Sequence, residues 1–338
     1  MRNTTNAVCC KRLVMLLLGL LLAAQSSLAM AFGADGHRTV AAIAEKLMAG
    51  TPADAKVRAL LETGETLEEA AVWADCAKGF SYCGKPPTAE MDAFVAHNHQ
   101  HHQYHYADIP IQVTHYAPGK IGTTDHDVVQ IIIEATAALR GETSASANPH
   151  AFTRRQALLL LMHMVGDVHQ PLHVGSVYLT PAGVAKLPTA ASLASGAVLP
   201  TEGENQLFID GGPHEVHGYW DSDVVKVLMK QKKASTPQAL AQALLAANST
   251  PVTLSANPAN DVTAWADESL KASRTAFKGL KVAAHRTDIP DPMHADKALS
   301  GWTVTLPATY EATASSIAAQ RLTLAGKRLA AILEYALQ

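Results

Sequence analysis

The sequence predicts an all-α fold, a single mainly helical domain with at most a short β-hairpin. Apolar residues recur at helical spacing through most of the chain. Ser/Thr-led caps stand before several of these runs. Alternating, strand-like patterns are confined to two short stretches. With 338 residues, 48% of them hydrophobic and 17% charged, the chain is not a disordered polymer.

The elements follow in order. Arg2, Lys11 and Arg12 precede an apolar run from Val14 to Ala24, and Ala29-Met30-Ala31 offers a small-x-small cleavage site. Residues 1–31 therefore read as a secretory signal peptide, too short to span a membrane; an uncleaved anchor is the rival reading. Cleavage after Ala31 makes Phe32 the first mature residue, with cleavage after Ala29 as the alternative. Val40, Ile43, Ala44, Leu47 and Met48 then mark a helix that Gly50 and Pro52 end. Thr66 and Glu69 form a capping box for a helix reaching Trp73-Ala74-Asp75. Thr124 and Asp127 open a helix carrying Val128, Ile131, Ile132, Ala135 and Leu139, with Gly141 past its end. Thr153 and Gln156 cap a run through Leu158–Leu161 into His163, and Pro171 follows it. Residues 176–203 are rich in Ala, Ser, Gly, Thr and Pro and read as a surface insertion. Gln206–Asp210 is a candidate strand and Trp302–Leu306 a weaker one. Thr236-Pro237 places an N-cap before a Pro at the first helical position, and the last thirty residues are helical by spacing.

The formal charge of −3 falls to −6 without residues 1–31, because three cations and no acids leave with them. No basic patch for nucleic acid is visible in that balance. Four cysteines are too few for a disulfide scaffold, and Cys9 and Cys10 lie in the leader. An oxidising compartment favours pairing Cys76 with Cys83, two free thiols being the alternative. The sixteen histidines are the anomaly. Imidazole is the commonest metal ligand and titrates near neutrality.

Histidine and aspartate share several segments: Asp35-Gly36-His37, Trp73-Ala74-Asp75, His105-Tyr106-Ala107-Asp108, His163 to His173, and His217 to Asp221. His163 and Asp167 stand four apart on the Leu-rich helix, and His217 and Asp221 repeat that spacing, so each pair projects from one helix face. A buried, unpaired Asp is costly, and a bound cation removes that cost. Nitrogen and oxygen donors without thiolate suit zinc. Each segment alone is weak: Trp265-Ala266-Asp267 repeats one tripeptide, and the His97–His102 run reads as solvated loop. Their joint occurrence is the signal.

In these segments the chain resembles the secreted zinc-dependent single-strand nucleases of the S1/P1 type, relatives of zinc phospholipase C. The most specific stretch is His163-x3-Asp167-x-His169-Gln170-Pro171-x-His173. The resemblance implies a phospholipase C/nuclease-type fold and three Zn2+. One ion would be held by Asp75, His105, His163 and Asp167. A second would share Asp167 and take His37 with the amine and carbonyl of Phe32. A third would take His173, His217 and Asp221. The resemblance also implies a catalytic role for Asp75, orienting a water, and for Lys78, clamping phosphate. Tyr106 would stack a base and Asp108 would bind its edge. Single-stranded DNA, RNA and 3′-nucleotides are the implied partners, and 5′-phosphates the products. A monomer in the periplasm or outside the cell is expected. Two departures stand out: Phe32 replaces the family's usual Trp, and Lys78 stands where fungal enzymes carry Arg, which gives charge without a bidentate fork. A zinc phospholipase C and a non-enzymatic periplasmic zinc-binding protein are the competing readings. Asp221, where the phospholipase typically carries Glu, favours the nuclease.

Overall fold

The computed structural model describes residues 32–79, 83–84, 86–291, 294 and 296–338. The leader expected at 1–31 lies outside them. The chain folds into helices α1 (Gly33–Met48), α2 (Pro52–Leu60), α3 (Leu67–Ala70), α4 (Trp73–Cys76), α5 (Ala89–His97), α6 (Val128–Leu139) and α7 (Arg154–Asp167). They are followed by α8 (Ala190–Ala194), α9 (Val216–Gly218), α10 (Val224–Lys232), α11 (Pro237–Ala247), α12 (Pro258–Phe277) and α13 (Tyr310–Ala336). Among the described residues no helix is long and apolar enough to cross a membrane.

The mainly helical single domain is as the sequence predicts. Helix α7 runs through its centre, and every residue from Ala157 to Asp167 is buried. It packs against α1, α6 and α13. Its start is the expected capping box, Thr153 accepting from Gln156 N while Gln156 accepts from Thr153 N. Asp127 caps α6, accepting from Val129 N and Gln130 N, and Thr236 caps α11. The long terminal helix α13 lies along α1, where Gly326 meets Ile43: a Cβ at Gly326 would come within 2.4 Å of the Ile43 side chain.

Two local expectations are corrected. The helix opened by Thr66 does not run on to Asp75. It breaks after one turn at Ala71–Val72, where Val72 N bonds three residues back to Glu69 O, and a fresh turn begins at Trp73. Sheet also exceeds a short hairpin. β6 (Lys281–Pro290) and β7 (Ala298–Thr305) form a long antiparallel pair with register shifts, and β5 (Leu207–Ile209) joins β7 in parallel. Short pairs β1 (Ile109–Pro110) with β2 (Gly175–Ser176), and β3 (Tyr178–Leu179) with β4 (Leu199–Pro200), complete the strands among the described residues. β6 is mostly exposed on both faces, so it carries no two-residue apolar alternation to read.

Segment 176–203 is not wholly superficial. Its middle is exposed, but Val177, Tyr178, Leu179, Val198 and Thr201 are buried. Tyr178, Leu193, Pro200 and Glu202 line the cleft described next.

Candidate metal centre and nucleic-acid cleft

A cleft of about 850 Å³ opens over the C-terminal end of α7. Three groups of ligand-type side chains lie in or beneath it: His37, His163 and Asp167; Asp75, His105 and His163; His173, His217 and Asp221. In each group the donor atoms lie within 4.8 Å of one another, and all the residues are buried.

The backbone delivers each one. His163 and Asp167 occupy successive turns of α7, with Nε2 3.4 Å from Asp167 Oδ2. His37 comes from α1. Its ring stacks on His163 at 3.7 Å, and its Nε2 lies 3.2 Å from Asp167 Oδ1. Gly166 makes this approach possible, because a Cβ there would sit 2.7 Å from His37 Nδ1. His105 ends a short 3-10 turn, with Nδ1 2.9 Å from Asp167 Oδ2 and 3.1 Å from His163 Nε2. The two Asp167 oxygens thus serve different neighbours. Asp75, on α4, places Oδ1 3.7 Å from His163 Nε2 and 3.8 Å from His105 Nδ1. Lys78 Nζ donates to that oxygen at 2.8 Å.

His217 and Asp221 lie on a helical run from 216 to 232 that loosens to a π turn at Tyr219–Asp223. His217 Nε2 remains 3.2 Å from Asp221 Oδ2. His173 follows Pro171 in a second 3-10 turn.

The hydrogen bonds behind the rings fix their tautomers. His163 Nδ1 donates to Ala71 O at 2.7 Å, the carbonyl at the helix break. His173 Nδ1 donates to His105 O at 2.7 Å, and His217 Nδ1 donates to Gly203 O at 2.6 Å. Each Nε2 is then a lone pair aimed at the site. His173 Nε2 and His217 Nε2 consequently face each other at 3.2 Å, two acceptors with nothing between them to share but a proton or a cation. Asp75 Oδ2, Asp167 Oδ1, Asp221 Oδ2 and His37 Nε2 are buried without a hydrogen-bond partner. Orphaned carboxylate oxygens beside converging imidazole lone pairs fit divalent cations, and the donor chemistry fits zinc.

The electrostatics divide: although burial opposes their charge, Asp221 raises His217 to about 9, and Asp167 with Asp75 raises His163. These two rings attract a proton where a cation would otherwise sit, while the carboxylates and His105 are set for a cation directly. Burial pushes the Asp75 carboxyl up, but Lys78 and the imidazoles of His163, His105 and His37 outweigh it and hold it at about 2. Burial likewise opposes ionisation of Asp167 and Asp221, and His163 and His217 respectively lead the groups that keep them below the ordinary carboxylate range. Burial lowers His105 to about 3, with Lys78 adding to it, which keeps the ring neutral.

Phe32 is fully buried at the start of α1. Its ring covers Gly36, and Gly33, at φ +54°, lies against the Asp221 carbonyl, 2.7 Å from where a Cβ would be. The start of α1 is thereby pinned beside the third group. Tyr106, 39% exposed, and the half-buried Asp108 both line the cleft. Burial, then the nearby Glu202, pushes Asp108 up to about 6. Cys76 and Cys83 are disulfide-bonded, closing a loop directly after Asp75.

Sequence reasoning missed Gln170. Its Nε2 donates to Asp221 Oδ1 at 2.7 Å and its Oε1 accepts from Leu172 N, so it orients a carboxylate of the third group. Its place inside the His-Gln-Pro-x-His run was the available signal. His169 points its ring hydrogen bonds away from the three groups. It donates to Val165 O and accepts from Arg328 behind the site. Of the His97–His102 run, His101 is buried and its Nδ1 donates to Asn98 O, while His102 lines the cleft.

The comparisons with known proteins agree with this geometry. A relative, Endonuclease 2 of Arabidopsis thaliana, is 24% identical over 318 residues, covering 89% of this chain and 89% of the plant protein. The S1/P1 Nuclease family model matches residues 32–338, from the buried Phe32 to the end of the chain. A cleft built on three clusters of His and Asp at the end of a buried helix is thus placed in a family of metal-dependent phosphodiester hydrolases acting on nucleic acid, and this chain belongs to the S1/P1 nucleases.

Proposed function

We infer that the protein is an exported zinc-dependent endonuclease that cuts single-stranded DNA and RNA, with 3′-nucleotidase activity, and leaves 5′-phosphates. The observation that carries the reading is the set of facing lone pairs and partnerless carboxylate oxygens at the three groups. Asp75, His105, His163 and Asp167 would hold one Zn2+; His173, His217 and Asp221 another. His37 and Asp167 would hold the third with the carbonyl of Phe32 and the amine it gains when residues 1–31 are removed. When bound, the ions lower the pKa of water from 15.7 to roughly 7 and offset the charge of phosphate oxygens.

The chain's own residues do the positioning. Asp75, held ionised and fixed by Lys78, orients the attacking water. Lys78, with its side chain 11% exposed at the cleft, gives its charge to the phosphate. Water adds at phosphorus and the O3′ leaves with a proton. Tyr106 offers a ring face to a base, and stacking there needs a base already free of its neighbours. That requirement supports single-strand preference. Asp108 accepts from the base edge.

Digestion tests the reading. Purified mature protein should degrade single-stranded DNA and RNA at least tenfold faster than duplex, lose activity to a chelator, and regain it with zinc. Hydrolysis of phosphatidylcholine with no cleavage of either nucleic acid would overturn it in favour of the phospholipase. Zinc binding with no hydrolysis at all would point to a storage protein.

A further inference from the structure

A second depression, of about 340 Å³, adjoins the catalytic cleft. Lys120, Ile121 and Thr123 line both, so the two are continuous. Ile109, Val113, Leu187 and Pro188 give the outer one apolar surface, and His115 adds an imidazole. Large exposed hydrophobic side chains are few among the described residues: Leu47, Tyr106, Val184 and Leu187. Two of these four lie along this path, Tyr106 in the cleft and Leu187 in the outer depression. Leu187, 55% exposed, comes from the 176–203 segment.

His115 is exposed yet held. Its Nδ1 lies 2.8 Å from Asp267 Oδ2, and the backbone N of Tyr116 donates to Asp267 Oδ1 at 2.6 Å. Asp267 belongs to the repeated Trp-Ala-Asp tripeptide, on the long helix α12. The ring is therefore fixed on a rigid element while its surface stays open. Lys120, also exposed, stands at the junction of the two depressions.

We propose that the outer depression is a second base subsite, taking the nucleotide next to the one at the metal groups, with Lys120 meeting the phosphate between them. This rests on the reading that an unstacked strand occupies the cleft. Continuity with the cleft identifies the occupant: the polymer that fills the cleft has to leave it, and this exit offers a cation followed by apolar and imidazole surface. That order matches phosphate, then base. Packing of this kind accepts any base, so the subsite adds affinity for chain length and not for sequence.

The test uses the mature, zinc-loaded protein on thymidine 3′-monophosphate, which reaches only the position at the metal groups, and on a single-stranded octathymidylate, with kcat/KM measured for each. The wild type should favour the octamer by roughly tenfold or more. Leu187→Asp, His115→Ala and Lys120→Ala should each cut that ratio at least threefold, and thermal melting of Leu187→Asp should match wild type because the side chain is exposed. An unchanged ratio in all three variants overturns the subsite and leaves the single-strand reading intact. Hydrolysis of neither substrate by the wild type overturns both. If Leu187→Asp converts a dimer to a monomer in sedimentation while the length preference survives, the surface joins two copies of the chain and the proposal falls.

Discussion

Asp167 joins two of the three ligand groups. Its Oδ1 faces His37 and its Oδ2 faces His105 and His163, all of them buried. Asp167→Asn keeps the volume but replaces one anionic oxygen with a donor, which repels a cation. We expect at least a ~100-fold loss of hydrolysis together with fewer bound zinc ions per chain, read by activity assay and elemental analysis. Wild-type activity at unchanged zinc content would refute the ligand assignment. Glu268 is a second residue with a defined prediction. It accepts from Arg321 at 2.8 Å and from both Arg328 nitrogens at 2.7 and 2.8 Å, and although burial opposes it these guanidinium groups hold its carboxyl below the ordinary value. A depressed carboxylate contributes stability that is present above its unfolded pKa, 4.5, and is lost as pH falls through the lower folded value. Glu268→Gln should therefore cost about 1–2 kcal/mol at neutral pH, modest because Glu268 is 42% exposed, and the gap to wild type should close in acid. Thermal melts from pH 3 to 7 measure it; a pH-independent gap would sink the idea. At this scale His163 with Asp167 and His217 with Asp221 were legible, because His and Asp at i, i+4 announce a shared face; His37, Asp75, His105 and His173 came from the family resemblance. The carbonyls of Ala71, His105 and Gly203 that orient the rings were not legible, since a backbone acceptor leaves no mark in the residue type.

Between elements, close approach is what the structure adds. Gly326 on α13 sits against Ile43 on α1, where a Cβ would come within 2.4 Å of the Ile43 side chain. Gly326→Ala gains intrinsic helix propensity, yet the overlap should win: we expect a net destabilisation of about 1–3 kcal/mol, measured by denaturant unfolding. A stabilised variant would show that α1 and α13 can separate at little cost. The same pairing sets the angle at which α1 carries His37 to Gly166. Helix starts were readable from Thr153, Asp127 and Thr236 because caps are local chemistry. The break at Val72 was not, because Ala71 and Val72 carry no local breaker and the break is matched by a distant hydrogen bond to His163. Nor was β6, whose partner is β7 and whose faces lie mostly in solvent.

For the molecule as a whole, helical class and the order of the ligand segments were plain from sequence, whereas the convergence of five distant stretches on one cleft was legible only through the family resemblance. One element links the cleft to the core. Asp267 and Glu268 are consecutive on α12, so their side chains point roughly 100° apart. The first holds His115 and the amide of Tyr116 at the outer depression; the second clamps Arg321 and Arg328 of α13, which in turn reach His169. The cleft's outer rim and the carboxyl-terminal helix therefore share one anchor, and opening either should loosen the other. In native-state hydrogen exchange the Tyr116 amide, although it lies in a loop, should exchange with the slow protons of α13 and not with the fast ones of neighbouring turns. Rapid, independent exchange at Tyr116 would mean that the rim breathes alone. Coupled exchange would make the rim and the helix a single cooperative unit, in which the groove opens only when the protein begins to unfold.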